Sequence, residues 1–174
     1  GYNNFTMLQL ASATATVAAG GVRHTPHLVK AQQDAISLQV QELPQPPGQS
    51  MGYKPDHVAA VKRGMVGVTL EGTSRGVFAG APYLSGGKTG TAQAVSIGQK
   101  SRYNAAKLAE HQRDHSLYIA FAPADNPRIA VAAIVENAGF RAAHAAPLVR
   151  RVMDYWPAGV YPSEADTAAL PGPY

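Results

Sequence analysis

The stretch Ser85-Gly86-Gly87-Lys88-Thr89-Gly90-Thr91-Ala92-Gln93 places one cation, three hydroxyls and three glycines within nine residues. Two chemistries use such a set. Backbone amides and a lysine can wrap a phosphate ahead of a helix, or a lysine and hydroxyls can line an acyl-transfer cleft. The phosphate loop needs a glycine, four residues, then Gly-Lys-Thr; with Gly87-Lys88-Thr89 at its end, the first glycine falls on Pro82. The residues after Lys88 are β-leaning and interrupted by Gly90, not an amphipathic helix. They therefore predict a short strand over 88–95, and a nucleotide is disfavoured.

Other elements must hold that strand in place. In the segment 5–19, Met7, Leu8, Leu10, Ala11, Thr14, Val17 and Ala18 keep helical spacing; Thr6 and Gln9 fit a capping box, and Gly20-Gly21 make a stop. Residues 22–52 carry Pro26, Pro44, Pro46 and Pro47 and read as a connector, with short strands expected at His27-Leu28-Val29 and Ser37-Leu38-Gln39-Val40. Lys54-Pro55-Asp56 suits a first helical turn, Val58, Val61, Met65 and Val68 continue it, and the helix should end near Glu71-Gly72. A short polar helix is expected over 103–113.

Residues 116–122 (SLYIAFA) and 128–136 (RIAVAAIVE) read as two strands joined by the turn residues Pro123-Ala124-Asp125-Asn126-Pro127. Both are apolar on both faces, which predicts the middle of a sheet with helices above and below. The segment 142–156 reads as a closing helix, with Leu148, Val149, Val152, Met153 and Trp156 on one side and Arg150, Arg151 and Asp154 on the other. Pro147 fits only within its first turns. The Pro, Ala, Gly and Ser composition of 157–174 predicts a mobile tail.

Composition allows one packed domain: 174 residues, 45% hydrophobic and 15% charged. The net charge of +4 comes from basic residues that are scattered rather than clustered, so nucleic acid is not an expected partner. Cysteine is absent, which excludes disulfides, zinc-thiolate sites and a cysteine nucleophile. No run approaches the roughly 20 apolar residues that span a bilayer. The start at Gly1-Tyr2, without Met and almost directly into a helix signal, leads to the expectation that this is a piece of a longer protein.

Gly87-Lys88-Thr89-Gly90-Thr91-Ala92-Gln93, with Arg113-Asp114-His115, Ala120-Phe121-Ala122-Pro123 and Ile134-Val135-Glu136-Asn137 after it, resembles the class B penicillin-binding proteins of the elongation type. Met7-Leu8-Gln9-Leu10-Ala11 and the segment to Leu28-Val29 add to that resemblance, which covers 1–156. It implies an α/β (α+β type) fold, the C-terminal part of a penicillin-binding/β-lactamase-like transpeptidase domain, with an antiparallel sheet and helices packed on both faces. Residues 157–174 would be a tail outside that domain.

The resemblance further implies D,D-transpeptidation of peptidoglycan stem peptides through an acyl-serine, with β-lactam antibiotics as substrate mimics. Lys88 would line the cleft as the catalytic cation. Thr89 and Thr91 would hold the substrate or β-lactam carboxylate, with the Thr91 N–H in an oxyanion hole, and Gly90 would keep the strand close to the nucleophile helix. No metal or cofactor is implied. The parent would be a periplasmic domain held by an inner-membrane anchor outside this chain, working beside a glycan polymerase and the elongation complex.

The family nucleophile is the serine of a Ser-x-x-Lys on a helix, where i and i+3 share a face. The match here is Ser85-Gly86-Gly87-Lys88, whose two glycines oppose a helix and whose lysine already opens the strand motif. No Ser-x-Asn occurs. The expectation is that this chain alone is inactive and that the full-length protein is acylated by penicillin. A β-lactam sensor without turnover, and a D,D-carboxypeptidase or β-lactamase on the same fold, stand as alternatives.

The remaining candidates have plainer readings. His24 and His27 are expected as surface histidines of a loop rather than metal ligands, because Thr25-Pro26 separates them and no acid lies near. His115 is expected to be a hydrogen-bonded structural residue, Asp114 to cap or pair, Tyr118 and Phe121 to be core, and Arg150-Arg151 to form a solvated helix face.

Overall fold

The computed structural model describes residues 4–93, 108–138, 144–156 and 158–159. Helix α1 spans Met7–Ala18, and its start is the expected capping box: the Gln9 amide donates to Thr6 Oγ1 at 3.1 Å, and the Thr6 amide to Gln9 Oε1 at 2.8 Å. Two of the four orphan amides of the first turn are thereby satisfied. Gly20 and Gly21 come next at φ 73° and 91°, conformations that end the helix at no steric cost.

The connector holds four short strands, β1 (Val22–Arg23), β2 (Ala31–Gln33), β3 (Val40–Glu42) and β4 (Gln49–Ser50), paired antiparallel as β1 with β4 and β2 with β3. The β2–β3 hairpin lies a few residues beyond the positions expected for it. The cause is Asp34, whose carboxylate accepts from the Ile36 and Ser37 amides and the Ser37 hydroxyl at 2.7–3.0 Å. That side-chain turn takes up 34–37 and leaves Leu38 at φ 57°, so pairing begins on either side of it.

Helix α2 spans Pro55–Leu70 with Pro55 in its first turn, and α3 is a single turn, Arg75–Phe78. Then come β5 (Gly86–Ala92), β6 (His115–Ala122) and β7 (Ile129–Val135), in the sheet order β5-β6-β7 with both pairings antiparallel. Helix α4 spans Ala145–Tyr155, with Pro147 in its first turn.

Alternation along β6 assigns the two faces of this sheet. Tyr118, Ala120 and Ala122, all with no exposed surface, pack with Phe78 of α3 and with Ala145, Ala146, Val149 and Met153 of α4. The opposite face, carrying Leu117, Ile119 and Phe121, lies against α1, which packs on β6 and β7, and α2, which packs on β5. Helices on both faces of an antiparallel sheet are the expected architecture.

Three expectations need correction. β6 is central, but β7 is an edge strand among the described residues and is half-buried along its whole length. Its apolar faces are covered by α1 and α4, whereas no described strand pairs with its outer side. Of the polar helix expected over 103–113, residues 103–107 lie outside the described residues, and Glu110–Gln112 form one 3₁₀ turn. The described residues 108–113 carry no apolar stripe to pack, and helices this short are marginal in water. The apolar side of α4 is also narrower than its sequence pattern: Val149 and Met153 are fully buried, but Leu148, Val152 and Trp156 are exposed. The tail lies outside the described residues except at 158–159.

Candidate functional site

Lys88, Thr89, Gly90 and Thr91 run extended along β5, an edge strand of the sheet among the described residues. An edge strand leaves alternate N–H and C=O groups free of a neighbouring strand, and these can engage an extended ligand. In register, Lys88 faces Ile119, Thr89 faces Tyr118, Gly90 faces Leu117 and Thr91 faces Ser116. The strand period of two puts Thr89 and Thr91 on one face and Lys88 and Gly90 on the other. Lys88 is exposed, and its Nζ donates to the Thr89 carbonyl at 2.7 Å.

The strand begins with two glycines because both its faces are filled there. A Cβ on Gly86 would meet the Phe121 ring at 2.5 Å, and one on Gly87 would collide with the Tyr118 oxygen. Each ring crosses from β6 onto the neighbouring strand, and only a glycine leaves it room. At Gly90 a Cβ would meet Leu117 Cβ at 3.3 Å, a tight contact but not a collision. Gly90 is thus less constrained than the other two by the residues of this chain.

Helix α2 and the turn after it supply three hydroxyls to the same strand. Thr69 Oγ1 donates to the Ser85 carbonyl at 2.7 Å. Ser74 Oγ donates to the Val68 carbonyl at 3.1 Å and lies 2.7 Å from the Tyr118 hydroxyl, beneath Gly87. Thr73 Oγ1 lies 3.4 Å from Thr89 Oγ1. Burial pushes the Tyr118 hydroxyl above the ordinary tyrosine value, opposed by its hydrogen bond with Ser74. Sequence reasoning missed Thr69, Thr73 and Ser74. The signal available was a run of hydroxyls beside Gly72 at a helix end, which has no local meaning until β5 is packed against it.

Ser85 sits in irregular chain immediately before β5, 2% exposed. It is not on a helix, so its spacing from Lys88 does not bring the two side chains onto a shared helical face. His115 accepts from the Asn137 amide at Nδ1, 3.0 Å away, and so is hydrogen-bonded as expected. Asp114 is buried, and Tyr118 and Phe121 have no exposed surface. His24 and His27 are exposed, with His27 Nδ1 3.3 Å from the Thr25 carbonyl.

Arg150 departs from the expected solvated face. Its guanidinium is ion-paired with Asp154 at 2.7 Å and donates to the Val77 carbonyl at 3.0 Å, and it lies 5.9 Å from the ring centroids of both Phe78 and Tyr83. Tyr83 in turn donates to Asp154 at 2.7 Å. The helical pattern placed Arg150 correctly opposite Val149, but that side of α4 meets α3 and the loop into β5. Arg151, its neighbour, is exposed. A groove along α1, lined by Leu8, Ser12, Thr16, Arg23, Met51 and Tyr53, contains none of the β5 residues.

Residues 1–154 match the family model described as the penicillin binding protein transpeptidase domain. Two curated relatives named peptidoglycan D,D-transpeptidase MrdA are similar: that of Haemophilus influenzae is 42% identical over 90% of this chain, and that of Acinetobacter baumannii 44% over 87%. The chain spans about a quarter of their length, 24% and 22%. Among solved structures, penicillin-binding protein 2 of Pseudomonas aeruginosa superimposes with a TM-score of 0.67 at 36% identity, over 90% of this chain and 31% of that one. Penicillin-binding protein A of M. tuberculosis, solved as an imipenem acyl-enzyme, gives 0.66 at 32% identity over 86% and 30%. The strand motif, the sheet that carries it and these similarities together assign the chain to the penicillin-binding protein transpeptidase family.

Proposed function

We propose that residues 1–156 are the C-terminal part of the transpeptidase domain of an elongation-type peptidoglycan D,D-transpeptidase, with 157–174 outside that domain. The observation that carries this reading is the placement of Lys88, Thr89 and Thr91 on an edge strand whose outer side pairs with no described strand. In the reaction, a serine oxygen attacks the carbonyl of the terminal D-Ala–D-Ala bond of a stem peptide. The C–N bond breaks, D-alanine leaves with the serine's proton, and an amine of a second stem peptide then displaces the serine. A β-lactam enters the same first step, but its amine stays tethered and the acyl-serine persists.

This chain supplies one wall of that site. The Lys88 ammonium places positive charge beside the nucleophile and the substrate carboxylate. The Thr89 and Thr91 hydroxyls, on one face of β5, donate to that carboxylate, and the Thr91 N–H stabilises the oxyanion. The nucleophile, its base and the second motif come from the rest of the protein. The substrates are stem peptides, β-lactams are the inhibitors, and a glycan polymerase with other elongation proteins are the partners. The domain works in the periplasm, anchored to the inner membrane by a segment outside this chain.

Fluorescent penicillin tests the reading. The full-length protein is expected to be labelled, and Lys88→Ala to slow labelling by roughly 10²-fold or more, the scale of losing one preorganised electrostatic group. This chain alone is expected to stay unlabelled. A covalent label on Ser85 would overturn the assignment of roles.

A further inference from the structure

The three hydroxyls reaching β5 from the end of α2 do different work. Thr69 and Ser74 are buried, 5% and 1% exposed, and their bonds to Ser85 and Tyr118 fix the approach and underside of the strand. Thr73 is exposed and touches the motif itself, 3.4 Å from the Thr89 hydroxyl. A hydroxyl carries one proton and two lone pairs, so the direction of that contact matters. If Thr89 donated to Thr73, its proton would be unavailable to a ligand. If Thr73 donates to Thr89, the Thr89 proton is free to point outward, and the pair is polarised so that this proton is a better donor.

We infer that Thr73 is a positioning residue for carboxylate recognition: it donates to Thr89 Oγ1 and thereby turns the Thr89 O–H toward the anion. This rests on the reading of Thr89 as a carboxylate-binding residue. An anion selects this direction, because it can only accept. The backbone of the Gly72–Ser74 turn is itself held by bonds of the Gly72 amide to the Gly67 carbonyl and the Ser74 amide to the Val68 carbonyl, at 2.9 and 3.2 Å. Thr73 is therefore presented from a fixed base, and a change at its side chain acts on Thr89 rather than on the fold.

The test uses the full-length protein and two probes, benzylpenicillin and its methyl ester, which differ in the carboxylate alone. The readout is the ratio of their second-order acylation rates, which a general loss of stability would not move. Thr73→Val is expected to lower the acid-to-ester preference by about threefold to tenfold, the worth of one hydrogen bond, and Thr73→Ser to retain it. In a Thr89→Val background, Thr73→Val should produce no further fall, because the two act as one unit. Thr73→Ala serves as a second removal of the hydroxyl should the valine variant fold poorly. An unchanged preference in the Thr73 variants, or an equal fall with and without Thr89, would overturn the inference. A Thr89→Val protein that keeps full preference would instead overturn the carboxylate reading beneath it.

Discussion

The β5–β6–β7 sheet and the β2–β3 hairpin are both antiparallel, yet they are held by different forces. In the sheet, Tyr118 and Ala120 have no exposed surface, and helices cover both faces. In the hairpin, Ile36 is 94% exposed and Leu38 and Val40 66%, and pairing rests on main-chain bonds and the Asp34 turn. Apolar residues occur in both segments, so hydrophobicity alone does not make a core. The difference lies in the sequence-distant partner: α3 and α4 close over β6, whereas no described element closes over the hairpin.

Gly87→Ala should disturb that contrast most. Its methyl group must displace the Tyr118 ring and the bond from Tyr118 to Ser74. The expected cost is about 3 kcal/mol, at the upper end for overpacking a core, measured as a fall in the denaturant midpoint of the full-length protein. Arg150→Ala comes next. It leaves Asp154 with Tyr83 as a donor but without its cation, and the Val77 carbonyl without the Arg150 bond, and about 2 kcal/mol should be lost, between the values for exposed and fully buried pairs.

Tyr83→Phe should cost about 1 kcal/mol at neutral pH, the value of one hydrogen bond, and it also changes the alkaline limb. Burial, then the neighbouring Asp154 carboxylate, holds the Tyr83 hydroxyl above its ordinary value. A raised value means that the folded state keeps the proton longer. This contribution is therefore complete below about pH 10, where unfolded tyrosine titrates, and is lost as pH rises beyond it. Stability should decline above about pH 10 in the wild type and less steeply in Tyr83→Phe, read from thermal midpoints across that range.

The smallest global effect is expected at Asp34→Ala. The carboxylate is exposed and held below its ordinary value chiefly by the Ser37 amide. Removing it should free the hairpin while leaving the sheet alone. Amide exchange at 31–42 should accelerate, with no measurable shift in the global unfolding midpoint. A large loss of global stability would show that the hairpin is coupled to the core after all.

Much of the fold was legible because its signals are local. The capping box at Thr6 and Gln9, Pro55 in a first turn, and the apolar runs of β6 and β7 each depend on residues a few positions apart. The motif at Lys88 was legible for the same reason: Pro82 argued against a phosphate loop, and Gly90 against a helix. The hairpin was misplaced by a few residues because the Asp34 side chain, not the apolar spacing, chose where the turn falls. The role of Arg150 was not legible, since helical periodicity says which side of α4 it occupies but not that α3 will meet that side.

Residue types and their spacing were enough to require that Lys88 to Thr91 be extended, that helices flank an antiparallel sheet, and that Ser85 lie on no helix. Packing in three dimensions was needed to explain why Gly86 and Gly87 precede the lysine, and to set Thr73 beside Thr89. Those facts depend on register between β5 and β6 and on the docking of α2. Contacts between residues 16 to 44 positions apart exist only once hydrophobic burial has brought their elements together, and no local pattern encodes them.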